Sequence, residues 1–146
     1  ERLVTPGMIR FENKLGGRVA ITAFDLDNNS SSAVLNYKKK EIIRQTIEWL
    51  GREPLPVYVK ELPNVFCIFN RSKSNDYAVV VIISLCSDPF NSFSLDLSGE
   101  WNNSRIQLLN SLGQWSSVPN EKNNSAIKIN EKLILMDPVI LKLTKK

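Results

Sequence analysis

The sequence predicts a mainly β protein, α+β overall: an antiparallel β-sandwich preceded by a short β-β-α segment with one amphipathic helix. Three observations carry that expectation. Short apolar runs recur from residue 57 onward, separated by polar turn residues, which is the sandwich or barrel pattern. One stretch, residues 36–50, carries apolar side chains at helical spacing with charges on the opposite arc. Between the two regimes stands Gly51-Arg52-Glu53-Pro54-Leu55-Pro56, a helix stop followed by two prolines. This seam divides the chain into a strand-loop-helix segment, residues 1–53, and an antiparallel β-sandwich domain, residues 54–146.

Residues 2–11 read as one or two short strand pieces broken by Pro6-Gly7, and Lys14-Leu15-Gly16-Gly17 as a turn. Residues 18–24 form a nearly continuous apolar run, of the sort buried on both faces. Residues 25–32 are polar and loop-like. The helix then begins at Asn36 or Tyr37, with Asn36 a plausible N-cap. Ile43, Ile47 and Leu50 define its apolar stripe, extended to one side by Ile42, Thr46 and Trp49. Gly51 is placed to end it, and Pro54 prevents resumption. Strands are expected at 57–61, 65–70, 77–85, 93–97, 105–109, 126–129, 132–136 and 139–143. Residues 77–85 are too apolar to alternate, so this strand is expected at the sheet centre, covered on both faces.

Composition limits the function. Of 146 residues, 42% are hydrophobic and 23% charged, as in ordinary globular proteins. The net charge of +4 is local, mainly Lys38-Lys39-Lys40 and Lys145-Lys146, so nucleic acid is not an expected partner. The chain has no histidine, which removes the usual general base and the commonest metal ligand. The longest apolar run is far shorter than the ~20 residues of a membrane-spanning helix. The chain opens at Glu1 with strand-like sequence, as expected for a piece of a longer polypeptide. Cys67 and Cys86 fit neither a metal site nor a disulfide framework. A hairpin turning near Ser74-Asn75 puts Cys67 opposite residue 82, whereas a disulfide needs Cα atoms within about 7 Å.

Candidate sites are few. Asp25-Leu26-Asp27-Asn28-Asn29 resembles the start of a calcium loop, but Ser30 and Asn36 stand where glycine and a bidentate glutamate belong. No metal or cofactor is expected. Asp76, Asp88, Asp96, Glu100 and Asp137 sit in or beside turns, with no spacing that pairs two for glycosidic cleavage, so no catalytic residue is assigned. Asn-x-Ser triplets, as at Asn70 and Asn102, are what an Asn- and Ser-rich chain produces by chance. Trp101 and Trp115 lie in or beside polar turns, with Asn102, Asn103 and Gln114 nearby. Exposed indoles stack on sugar faces and amides bond hydroxyls, so these two are the candidate carbohydrate-binding residues; buried, they would instead cap the sandwich core.

Three stretches together resemble a family. The run from Leu15-Gly16-Gly17-Arg18 to Phe24-Asp25, the helix ending Glu48-Trp49-Leu50-Gly51, and Leu55-Pro56-Val57 resemble the end of a flavodoxin-like, glutamine-amidotransferase-like domain. Such a domain follows the catalytic barrel in bacterial β-galactosidases and related glycoside hydrolases, where it serves in trimerisation. Asn64-Val65-Phe66, the run from Tyr77 to Pro89, residues 108–118 and residues 135–143 are similar to the small antiparallel β domain ending such enzymes. The resemblance implies a non-catalytic C-terminal accessory region of a carbohydrate-active enzyme. Its partners would be the upstream domains of the parent chain, and the parent would be periplasmic or extracellular. The alternative is a carbohydrate-binding module using Trp101 and Trp115. No catalytic residue of the family maps onto this sequence.

Overall fold

The computed structural model describes residues 7–23, 37–118, 120–123 and 126–145. Among the described residues the chain is mainly β with one α-helix, and it divides into two compact units, Glu1–Pro54 and Leu55–Lys146. The calcium-like stretch and Asn36 lie outside the described residues.

In the first unit, β1 (Met8–Glu12) and β2 (Arg18–Thr22) form an antiparallel hairpin, with Ile9 opposite Ile21 and Phe11 opposite Val19. Asn13 closes the turn. Its Oδ1 accepts the amides of Leu15 at 3.0 Å and Gly17 at 2.8 Å, while Gly16 takes φ 82°, which a side chain would resist. Helix α1 (Tyr37–Gly51) packs on β2. Arg18 joins helix to hairpin: it donates to the Trp49 carbonyl and to Glu12 Oε2, and its guanidinium lies 5.1 Å from the Trp49 ring centroid.

Three expectations for this unit are corrected. The run beginning at Arg18 is not buried on both faces: β2 alternates, and Val19 and Ile21 are exposed with Ile9 and Phe11 on one hairpin face. The helix contact is centred on the flank of the expected stripe. Thr46 is buried, lying 3.2 Å from Met8 Sδ, while Ile42, Ile47 and Leu50 are exposed and Trp49 is half-buried. Gly51 is the last helical residue rather than the stop. The left-handed position falls to Arg52, at φ 61°, whose side chain reaches the Gly16 carbonyl and Glu12.

The second unit is a sandwich of two antiparallel sheets. One has the order β3 (Val57–Lys60), β6 (Phe93–Leu97), β10 (Ala126–Ile129), β9 (Asn120–Asn123). The other has the order β4 (Val65–Arg71), β5 (Tyr77–Ser84), β11 (Val139–Thr144), β7 (Arg105–Leu109), β8 (Trp115–Ser117). Alternate residues turn inward. Val59, Leu95 and Ile129 from the first sheet and Val80, Ile82, Leu141 and Leu143 from the second are fully enclosed in one core. Residues 132–136, expected as a strand, make only isolated bridges, Phe90 to Leu133 and Ser84 to Leu135. Met136, at φ 59°, ends the segment just before Asp137-Pro138. The register sets Cys67 opposite Ile82, and both cysteines are half-buried and form no disulfide.

Candidate functional site

Strand β5 occupies an interior position between β4 and β11, but it alternates. Ala78, Val80, Ile82 and Ser84 are buried, whereas Val79, Val81 and Ile83 are half-buried on the outward side. The expectation of cover on both faces is thereby corrected. The outward valine and isoleucine side chains form an apolar sheet face in place of a second enclosed layer.

Pairing extends that face across the sheet. Phe66 stands opposite Ile83, and Ile68 opposite Val81, which is in turn opposite Ile140. Phe66 is 48% and Ile68 47% exposed, so the patch is open to solvent. Toward the other end of the strands the same face turns polar. Lys142 is opposite Gln107, Thr144 opposite Tyr77 and Arg105, and Gln107 opposite Ser117. Lys142 Nζ lies 4.9 Å from the Tyr77 ring and 5.8 Å from the Trp115 ring. It is held between two aromatic surfaces. Trp115 is 37% and Tyr77 39% exposed.

Trp101 is elsewhere. It is 2% exposed, closing a short 3-10 turn, Gly99–Trp101, on the core. Its ring meets Phe69 edge to face with centroids 5.6 Å apart, and Lys145 Nζ sits 4.6 Å over it. The indole caps the sandwich core and offers no open face for stacking, which corrects its placement among exposed sugar-binding residues. The two tryptophans are thus separated in role, and Trp115 alone belongs to the outer face.

A clasp forms beside Trp101. Glu100 accepts Lys145 Nζ at 2.6 Å and Asn75 Nδ2 at 3.1 Å, and Arg71 is 3.9 Å away. The Lys145 hydrogen bond is the main cause holding the Glu100 carboxyl below its ordinary range. Asp76, bonded by the hydroxyls of Ser74 and Ser72, is lowered to about 2.

Two open grooves flank the five-stranded sheet at opposite strand ends. One, of about 610 Å³, is lined by Asn102, Ser104, Arg105, Ser117, Thr144 and Lys145 among others. The other, of about 490 Å³, holds Glu131, Lys132 and Asp137. Asp137 is exposed there, and of the other turn acids Asp96 pairs with Lys60 at 3.4 Å and Asp88 is exposed. Among the described residues no group of three His, Cys, Asp or Glu side chains could hold a metal ion, and no helix is long and apolar enough to cross a membrane.

The fold and this face define a two-sheet antiparallel sandwich that presents one half-apolar, half-cationic sheet surface. Comparison with protein families, curated proteins and solved structures finds no match to the chain. Tyr77, Arg105, Gln107 and Lys142 were not candidates from the sequence. The signal for Lys142 is the alternation Leu141-Lys142-Leu143, which turns it away from the core. Its aromatic neighbours depend on the strand order β5-β11-β7-β8, which no local pattern encodes.

Proposed function

We propose that the chain is a non-catalytic accessory region that docks on neighbouring domains of a larger carbohydrate-active enzyme. The supporting observation is the open apolar patch of Phe66, Ile68, Val81, Ile83 and Ile140, which a free-standing surface rarely carries. The exposed hairpin face of Ile9, Phe11, Val19 and Ile21 is a second surface of the same kind. The link to carbohydrate-active enzymes rests on the resemblance of the three stretches quoted above. Hydroxyl-radical footprinting tests the docking. Phe66 and Ile68 should be labelled less in the complete polypeptide than in this chain alone, and equal labelling would refute it. Enzyme-like hydrolysis of aryl-glycosides by this chain alone would refute the non-catalytic role.

A second reading, carbohydrate binding, is favoured by one observation: Trp115 and Tyr77 stand partly open on the outer face with hydroxyl and amide groups beside them.

A further inference from the structure

The polar half of the outer face is short of negative charge. Arg105 and Lys142 are diagonal neighbours, since Arg105 pairs with Thr144 and Lys142 lies two residues before it. Neither has a carboxylate within ion-pair distance among the described residues. Among the described residues, the acids at this end of the sandwich are already engaged, Asp76 by Ser72 and Ser74, and Glu100 by Lys145, Asn75 and Arg71. Lys142 is half-buried, and its neighbours are the rings of Tyr77 and Trp115. Arg105, Ser117 and Thr144 also line the groove of about 610 Å³. That groove adds the Asn102 amide and, buried in its wall, a Ser104 hydroxyl with no hydrogen-bond partner among the described residues.

We infer that this corner binds an acidic oligosaccharide, a chain of sugar rings carrying carboxylates. The inference rests on the carbohydrate-binding reading and names its ligand class. Each part of such a ligand has a matching group. A ring face stacks on Trp115, with Tyr77 as the second aromatic surface. The ring carboxylate is held by the Lys142 ammonium and the Arg105 fork, a charge-assisted pairing stronger than any bond to a neutral hydroxyl. The remaining hydroxyls meet Gln107, Ser117, Thr144 and the amides of the groove. A neutral glycan would leave Lys142 and Arg105 unmatched, and an acidic peptide would leave the aromatic shelf without a flat ring to carry.

The test is a titration of the full chain, followed by tryptophan fluorescence and calorimetry, with oligogalacturonate, a neutral oligogalactoside of equal length and an oligoglutamate peptide. Binding of the oligogalacturonate alone is expected, weakening as salt is raised. Lys142→Met, which keeps the apolar stem, should weaken it at least about tenfold, and Trp115→Ala by a similar factor, while Lys142→Arg retains it. Circular dichroism establishes that each variant is folded. If both glycans bind alike and Lys142→Met changes nothing, the acidic specificity is wrong and the carbohydrate reading stands. If neither glycan binds, both are wrong. Equal binding of the peptide would show a surface that reads charge alone and would overturn the assignment.

Discussion

Replacing Trp101 separates a core indole from a surface one. Trp101 is 2% exposed, packs edge to face on Phe69 and carries Lys145 over its ring. Truncating a buried tryptophan to alanine costs about 3–5 kcal/mol, and the lost aromatic pair, worth about 0.5–1.5 kcal/mol, places this site toward the upper end. In a domain of this size each kcal/mol moves Tm by about 4–8 °C, so Trp101→Ala should lower the melting temperature by at least about 16 °C. Trp115→Ala should cost less than about 1 kcal/mol, since it removes only a surface side chain and one cation–π contact. Thermal melts followed by far-ultraviolet circular dichroism read both. If Trp101→Ala does not fold, Trp101→Phe supplies the measurement, with an expected loss of about 1–2 kcal/mol. A Trp101→Ala protein melting within a few degrees of the unsubstituted chain, or a Trp115→Ala protein falling as far, would refute the burial argument.

Acid should weaken the sandwich through Asp76. Its carboxyl is lowered from 3.8 to about 2 by hydrogen bonds from Ser74 and Ser72, so its contribution is complete above the ordinary value and lost as pH falls toward about 2. Carbon-13 titration of the Asp76 carboxyl should show this, and Ser72→Ala with Ser74→Ala should return it toward the ordinary value; a native Asp76 already titrating there would disprove the arrangement. In the first unit, Arg18→Ala should cost about 1–3 kcal/mol by removing a charged hydrogen bond to the Trp49 carbonyl. Faster hydrogen exchange in the last two turns of α1 would confirm it, and unchanged exchange would mean that the helix is held by packing alone.

Much of the fold was legible because alternation and turn chemistry are local. The strands at Phe93–Leu97, Arg105–Leu109 and Ala126–Ile129 fall where apolar alternation between polar turns puts them. Strands Trp115–Ser117 and Asn120–Asn123 carry no sequence signature because they are short and mostly polar, held by pairing with β7 and β10 rather than by their own pattern. Residues 132–136 misled for the opposite reason. Leu133 is apolar because it plugs the core from a loop, fully enclosed, and not because it belongs to a ladder. Periodicity in the helix marks an apolar arc but not which part of it meets a neighbour. Met8 of β1 meets Thr46 and Arg18 of β2 holds the Trp49 carbonyl, which sets the contact on that flank of the helix. Trp101 and Trp115 have similar sequence surroundings. Only the 3-10 turn that folds one inward, and the hairpin that turns the other outward, tell them apart.

The position of β11 has a consequence for assembly. The β4–β5 and β7–β8 hairpins can each close early, but they join only through β11, which comes after both in the chain. Until it is synthesised and inserted, each half-built hairpin keeps an unpaired edge open to self-association. The slow step of folding should therefore be the entry of this strand, a long-range event that completes the sheet as a keystone completes an arch.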